Sequence, residues 1–283
     1  MCLYGFGDAG GSGGSRGPFG TLMGTGDGSL VPKQRLSGRT HNMEQKHNLC
    51  IRSLNIDWDK INRDLYLKEI PSLKNLDHLE FSCPVTFFVG ENGSGKSTLL
   101  EGIAVAYGFN PEGGTKNYSF STYNSHSELH EAIRLVKGLG KSGWGYFYRA
   151  ESFYNVATAE DEYGREIGGR PMFLHQKSHG ESFVAMALAN FNGSGLYILD
   201  EPEAALSPQR QLSLLYQISE CTKQGAQFII ATHSPILLGL PGAEILTFDD
   251  GTVHPCSYED TDSYKVTEMF INDRGRLLKE LLQ

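Results

Sequence analysis

The sequence lacks the features that mark a secreted or membrane-embedded protein. Its five cysteines include no C-x-x-C pair, and their odd number argues against a disulfide framework or a zinc knuckle. Free thiols fit the reducing conditions of the cytosol. No apolar run approaches the roughly 20 residues that a membrane helix needs, and the N-terminus has no apolar stretch of secretory type. We therefore expect a cytoplasmic chain without direct membrane insertion, so that any membrane channel it serves would be a separate polypeptide.

A surplus of basic residues, common in DNA-binding proteins, is also missing. The 283 residues carry a formal net charge of -8, which does not support nucleic acid as a partner, although a local basic patch would permit it. The sequence has no heptad run and no internal repeat, which excludes a long coiled coil and a repeat array. Hydrophobic residues make up 39% of the chain and charged residues 20%, as in ordinary globular domains with a core of normal size.

The first 42 residues differ in composition from the rest of the chain. Twelve of the 34 glycines lie there, among few apolar residues and without a period. Such a segment cannot bury enough apolar surface to offset its ordering entropy, so we expect residues 1–42 to form a disordered glycine-rich leader. Residues 43–283 are expected to form a single domain.

Apolar patterns from residue 48 onward predict alternating strands and helices. Strands are predicted at 48–56, 76–81, 85–89, 144–149, 196–199 and 227–231, and helices at 95–106, 127–136, 182–190 and 207–225. Alternation of this kind predicts an α/β fold with a largely parallel central sheet.

A phosphate-binding loop directly follows the 85–89 strand. The pattern G-x-x-x-x-G-K-[ST] is complete and opens a helix; its residues are Gly90, Glu91, Asn92, Gly93, Ser94, Gly95, Lys96, Ser97 and Thr98. Glycines let the backbone curl so that its N–H groups face phosphate oxygens, and the helix N-terminus adds positive potential. We expect Lys96 to reach the β- and γ-phosphates of ATP and the Ser97 hydroxyl to bind Mg²⁺.

Two carboxylates follow the buried strand at 196–199. Such a strand delivers Asp200 and Glu201 to the carboxyl edge of the sheet, where ligands bind in open α/β folds. Asp200 is expected to hold Mg²⁺ through water. Glu201 is expected to orient or deprotonate the attacking water.

From here the sequence resembles an ATP-binding-cassette (ABC) ATPase, a P-loop family. Ser178-His179-Gly180-Glu181 resembles the family signature S-G-G-Q, residues 202–207 resemble the D-loop, and residues 231–234 resemble the motif that carries the switch histidine, His233. The closest similarity is to short soluble bacterial ATPases, described as AAA-family or ABC-like, and it covers residues 48–283. A more distant similarity is to chromosome-maintenance and recombination ATPases.

The resemblance implies the remaining features of fold and site. It implies an ABC-type P-loop NTPase with an antiparallel N-terminal sheet and a small helical insert. It also implies a homodimer sandwiching two ATP molecules, in which Ser178, Gly180 and Glu181 of one copy contact ATP held by Lys96 of the other. Catalytic roles fall to Glu201, His233 and Lys96.

Some family positions have no clear counterpart. The segment 119–126 is the expected equivalent of the Q-loop, but it offers no residue for that role. Arg149 and Glu151 end an aromatic strand and are either polar site residues or an ion pair at a strand end. Trp58 and Tyr66 are weak candidates for stacking on adenine and fit packing roles better.

Three functions remain open at this stage. The first is a soluble ATPase in DNA repair, defence or stress response, working alone or with an unknown protein partner. The second is the motor subunit of a membrane ABC transporter. The third is a slow nucleotide-dependent switch or scaffold.

Overall fold

Two sheets and the helices between and around them form the fold. The computed structural model describes residues 49–61, 65–115, 127–140, 143–151, 187 and 190–282. The strands are β1 (Ile51–Ile56), β2 (His78–Glu80), β3 (Val85–Val89), β4 (Ile133–Lys137), β5 (Gly145–Arg149), β6 (Gly195–Asp200), β7 (Ala226–Ala231), β8 (Glu244–Thr247) and β9 (His254–Pro255). The α-helices are α1 (Lys96–Tyr107), α2 (Leu129–Ala132), α3 (Pro208–Lys223), α4 (Pro235–Leu238) and α5 (Asp262–Leu281). The glycine-rich residues 1–42 and most of the expected helical insert lie outside the described residues.

The larger sheet has the strand order β5-β6-β7-β3-β8-β9. Strands β5, β6, β7, β3 and β8 run parallel, and only β9 pairs antiparallel, with β8. The smaller sheet, β2-β1-β4, is antiparallel. The predicted α/β architecture with a largely parallel sheet and an antiparallel N-terminal sheet is therefore confirmed.

Alternate residues of the central strands pack on opposite faces of the sheet. Leu196 and Ile198 belong to a core shared with α1 and the smaller sheet, whereas Tyr197 and Leu199 pack toward α3 and α4. Successive side chains of a strand point to opposite faces of the sheet, and both faces are buried here. The sequences of these strands are therefore continuous apolar runs. The sheet is held between two apolar layers, so its carboxyl edge is a rigid platform.

One predicted helix was wrong over half its length. The apolar pattern at 127–136 favoured a helix, but α2 ends at Ala132 and the chain continues as β4, paired with β1. Ile133 and Val136 are β-branched and suit a strand. Pairing with β1 is a long-range contact, and the local sequence pattern does not contain that information.

A buried glutamine joins the two sheets. Gln227 of β7 is 1% exposed, and its side chain accepts a hydrogen bond from the Ile51 backbone N–H at 2.8 Å and donates one to the Ile51 carbonyl at 2.9 Å. The bulge in β1 between Ile51 and Ser53 lies at this point. Both polar groups of one backbone residue are thus satisfied by one side chain.

Removing this junction is expected to destabilise the fold. Gln227→Leu keeps the volume but leaves two buried backbone groups unpaired, which costs about 2–5 kcal/mol. Urea unfolding should show the loss as a lower midpoint. Gln209→Leu makes the same chemical change at an exposed site on α3 and should change the free energy of unfolding little. Equal midpoints for the two variants would mean that the Gln227 junction carries no stability.

Candidate functional site

The loop 90–98 wraps around the N-terminus of α1, as the sequence predicts. Gly90, Gly93 and Gly95 have φ values of 139°, 81° and 97°, a region that side chains disfavour. Gly95 has a second constraint, since a Cβ there would lie 2.9 Å from side-chain atoms of Ile70 and Leu73. The glycines are therefore required by the turn itself and by the segment packed over it. The loop joins the carboxyl end of β3 to the N-terminus of α1, so the positive end of that helix lies at the carboxyl edge of the sheet.

Lys96 is buried within this loop, only 5% exposed. Its ammonium group donates to the carbonyl oxygens of Gly90 at 2.6 Å and Glu91 at 2.8 Å. Burial lowers the pKa of Lys96, and four carboxylates around it oppose that shift, namely Glu201, Asp249, Asp200 and Glu203. Lys96 is thus a buried cation surrounded by acidic side chains at the end of β6 and just after β6 and β8.

The two residues expected to hold Mg²⁺ are in direct contact. The Ser97 hydroxyl donates to the Asp200 carboxylate at 2.9 Å. Burial raises the pKa of Asp200 to about 6, opposed by the Ser97 hydrogen bond and the Arg149 charge. A hydroxyl and a buried carboxylate are hard oxygen donors of the kind that Mg²⁺ prefers, so the residues fit this ion.

Glu201 and His233 face each other at the end of β6 and β7. The Glu201 carboxylate lies 4.0 Å from Nε2 of His233, and the two side chains are 45% and 41% exposed. Glu201 has φ 50° and ψ 53°, a left-handed conformation that is uncommon for a residue with a side chain. Its N–H donates to the Ala231 carbonyl at 3.0 Å, which fixes this turn. Strained backbone at a strand end is frequent at functional sites.

Glu203 is a site residue that the sequence reasoning missed. Its carboxylate accepts a hydrogen bond from the His233 backbone N–H at 2.5 Å, so the turn Pro202–Ala205 holds the histidine segment. A second link runs through Gln211, which donates to the Leu206 carbonyl at 3.1 Å and accepts from the Ser234 hydroxyl at 2.6 Å. Hydrogen bonds therefore join the turn after Glu201 to the segment that carries His233. The only sign of Glu203 in the sequence was an acidic residue two positions after Glu201.

Asp249 was also missed. It follows β8 and reaches the phosphate loop, where its carboxylate accepts a hydrogen bond from the Glu91 N–H at 3.0 Å. The strand that carries it was not predicted, because β8 is four residues long and lacks a motif.

Arg149 lies at the same sheet edge, in register with Asp200. Its guanidinium contacts Glu101 of α1 at 2.5 Å and Glu151 at 3.7 Å, and its side chain is 19% exposed. The sequence analysis left two roles for Arg149, a polar site residue or an ion pair at a strand end. The observed contacts agree with the ion pair. The partly buried contact with Glu101 fastens the end of β5 to the helix that follows the phosphate loop.

The remaining predicted residues either lie outside the described residues or show no observed contact with this site. Ser178, Gly180 and Glu181 lie outside the described residues, as does the segment 119–126. Trp58 packs against the core and donates to the Leu76 carbonyl at 3.3 Å, which agrees with a packing role. Tyr66 is 51% exposed, and no observed contact assigns it to a base.

Two protein-family models match the chain. Residues 64–165 match "AAA domain", and residues 181–239 match "AAA domain, putative AbiEii toxin, Type IV TA system". The first match contains the phosphate loop, and the second contains the acidic strand end and the histidine segment. Together the two matches span more than half of the chain.

Curated relatives are ATP-binding proteins of ABC transporters. The "Ribose import ATP-binding protein RbsA" of Roseobacter denitrificans is 27% identical over 206 residues, which are 64% of this chain and 40% of that protein. An "Uncharacterized ABC transporter ATP-binding protein" of Haemophilus influenzae is 26% identical over 198 residues, 62% of this chain and 74% of that protein. The chain thus spans well under half of the ribose-import relative.

Two solved structures show a low structural similarity to this chain. The "SMC head domain from Thermotoga maritima" has a TM-score of 0.40 and 18% identity, covering 74% of this chain and 99% of that one. The structure of cbiO1 from Clostridium perfringens, "Part of the ABC transporter complex cbiONQ", has a TM-score of 0.38 and 17% identity, covering 71% and 90%.

Proposed function

Since the chain is a P-loop ATPase of the AAA/ABC type, we propose that it binds MgATP at the loop 90–98 and hydrolyses the β–γ phosphoanhydride bond. One observation carries the proposal. The Ser97–Asp200 contact of 2.9 Å lies beside the buried Lys96, and Glu201 and His233 stand at the same sheet edge. The groups that we propose to bind phosphate, to hold Mg²⁺ and to activate water thus lie together at one edge of the sheet.

Each side chain has a definite task in this proposal. The amides of the loop and the ammonium of Lys96 bind the β- and γ-phosphates, while Ser97 and Asp200 hold Mg²⁺, which neutralises charge on the phosphate oxygens. Glu201 accepts a proton from the attacking water. His233 lies 4.0 Å from that carboxylate, and in this proposal it donates a hydrogen bond to the γ-phosphate.

We further propose that a second copy of the chain completes the site. Glu201 and His233 are 45% and 41% exposed, so one side of the reaction centre is open to water. Water exclusion strengthens the electrostatic contacts that phosphoryl transfer needs. The signature residues Ser178, Gly180 and Glu181 of the second copy would cover this side in a two-fold symmetric closure, as the family resemblance implies.

The biological setting favoured at the sequence level is a cytoplasmic ATPase in repair, defence or stress response. The matched family description that names a toxin of a Type IV toxin–antitoxin system supports a defence role within that group. No helix in the described part of the chain is long and apolar enough to cross a bilayer.

A second candidate is the motor subunit of a membrane transporter. The names of the relatives, which include a ribose import and an L-arabinose transport ATP-binding protein, favour it. Co-purification with a membrane protein from the native host would support this candidate. Slow turnover of ATP would instead favour a switch or scaffold.

Nucleotide-dependent dimerisation tests the shared site. We expect Glu201→Gln to change from monomer to dimer on adding MgATP, as measured by size-exclusion chromatography with light scattering, because bound ATP is not consumed. Glu259→Gln makes the same change at an exposed position and should not accumulate the dimer. Adding Ser178→Arg to Glu201→Gln should keep the protein monomeric. A mass that remains that of a monomer with MgATP would contradict the two-copy site, whereas a dimer present without nucleotide would mean a constitutive oligomer.

A further inference from the structure

A carboxylate from outside the phosphate loop holds its first turn. Asp249 Oδ1 accepts a hydrogen bond from the Glu91 N–H at 3.0 Å. The other carboxylate oxygen, Oδ2, accepts one from the Thr247 hydroxyl at 2.9 Å. The Asp249 N–H also donates to that hydroxyl oxygen at 3.3 Å. Both oxygens are thus fixed, and only one of them touches the loop.

The central sheet makes this contact rigid. Strand β8 pairs with β3, and Thr247 stands in register with Val89, the last residue before the loop. The pairing continues past the strand, because the Phe248 N–H donates to the Val89 carbonyl at 2.9 Å. Asp249 is therefore carried by the same backbone ladder that delivers the loop, and its position relative to Glu91 has little freedom.

The first glycine of the loop allows the close approach. A Cβ on Gly90 would lie 3.0 Å from Asp249 Oδ1 and 3.2 Å from the Phe248 Cβ. Gly90 also has φ 139°, which a side chain would disfavour. The missing side chain at position 90 thus leaves the space in which the Asp249 carboxylate meets the loop.

The geometry points to Asp249 as a positioning residue for the phosphate loop, an inference that rests on the proposed MgATP site. Lys96 contacts the carbonyl oxygens of Gly90 and Glu91, whereas Asp249 contacts the Glu91 amide. When the Lys96 ammonium is engaged by phosphate, the Asp249 contact still ties the turn to the sheet. A loop held in its binding shape loses less conformational freedom on binding nucleotide.

The negative charge of Asp249 and its hydrogen bond to the loop have opposite effects on nucleotide affinity, so the two contributions can be separated by mutation. A carboxylate near a triphosphate repels it, so a residue acting by charge alone would weaken nucleotide binding. A residue acting as a hydrogen-bond acceptor would strengthen it. Asp249→Asn keeps an acceptor for the Glu91 amide and offers its NH₂ to the Thr247 oxygen while removing the charge. Asp249→Ala removes both.

The test measures dissociation constants for MgATP and MgADP on the full chain, together with kcat and KM. We expect Asp249→Ala to raise both dissociation constants about 10-fold, since a hydrogen bond to a charged acceptor is lost. Asp249→Asn should stay within about threefold of wild type, because a neutral acceptor is weaker than a charged one but still present. The loss should appear in KM with kcat nearly unchanged. Asp250→Asn, the same change at the exposed neighbour, is the control.

Several results would overturn the inference. Wild-type or tighter affinity in Asp249→Ala would do so, as would equal losses in the two Asp249 variants. If Asp249→Ala fails to fold in a thermal melt, Thr247→Val removes the donor to Oδ2 and should raise the dissociation constants by about twofold to threefold; no change there would also overturn it. Failure of the wild-type protein to bind either nucleotide would instead reject the proposed function.

Discussion

Glu201→Gln is expected to slow ATP hydrolysis by about 10²- to 10⁴-fold, the range that a general base contributes. The amide keeps the size and the hydrogen-bonding oxygen of the side chain but cannot accept a proton from water. Glu201 acts on Lys96 of the loop 90–98 through its charge, and none of the observed hydrogen bonds joins its side chain to the loop. MgATP affinity should therefore remain within a few-fold of wild type. The total phosphate formed, bound and free, in acid-quenched single-turnover reactions measures the chemical step and separates it from product release.

Two comparisons make this result specific to the proposed base. Glu259→Gln should hydrolyse ATP at the wild-type rate. His233→Ala should also slow the chemical step, because it removes the partner 4.0 Å from the Glu201 carboxylate. A wild-type rate in Glu201→Gln would show that another group activates the water. Glu203 would then be the next residue to test, since its carboxylate contacts the His233 backbone.

Lys96→Ala is expected to weaken MgATP binding by about 10- to 150-fold. The ammonium provides charge-assisted hydrogen bonds to phosphate, each of which contributes about 1.5–3 kcal/mol, and tenfold in affinity corresponds to about 1.4 kcal/mol. Removing it also takes away the buried positive charge on which the surrounding carboxylates act, Asp200 and Glu201 among them. Repulsion between these groups and the triphosphate adds to the loss.

Equilibrium titration with a fluorescent ATP analogue measures this affinity. Lys265→Ala, at an exposed lysine paired with Asp260 at 3.7 Å, is the matched control and should bind as wild type does. Thermal unfolding without nucleotide establishes that the Lys96 variant is folded, and added MgATP should then raise its midpoint less than it raises that of wild type. Equal affinities for Lys96→Ala and wild type would place the triphosphate somewhere other than the loop 90–98.

The two variants also help to distinguish the biological settings. A Glu201→Gln protein that holds ATP without turnover remains in its nucleotide-bound form long enough for partners to be captured. A membrane protein captured only with MgATP would favour the transporter setting, and a soluble partner or DNA would favour the other. Lys96→Ala should not reach the nucleotide-bound form, so partners that it also captures are non-specific in either experiment.

Motifs made of consecutive residues could be interpreted without the fold. The pattern at 90–98 includes its own structural requirements, since glycines, a lysine and a hydroxyl must follow a strand and open a helix. The pair Asp200-Glu201 is similarly local, because a buried strand has to end where two carboxylates appear. The sequence also indicated the α/β class, because alternating apolar patterns extend over many residues.

Residues that act across the fold could not be found in this way. Asp249 reaches Glu91 only because β8 lies beside β3, and Gln227 contacts Ile51 only because the two sheets are stacked. Glu203 contacts His233 across 30 positions of sequence. Hydrogen bonds between distant segments leave no period and no spacing in the chain.

By itself, the sequence predicted the phosphate and Mg²⁺ ligands that we propose, since that chemistry depends on residue types held in short, continuous turns. Only the tertiary structure decided how those turns are held. Strand order sets which carboxyl ends are neighbours, and that order follows from long-range backbone pairing. The same pairing placed 133–136, the end of an expected helix, in β4, because the hydrogen bonds to β1 outweighed a local apolar pattern.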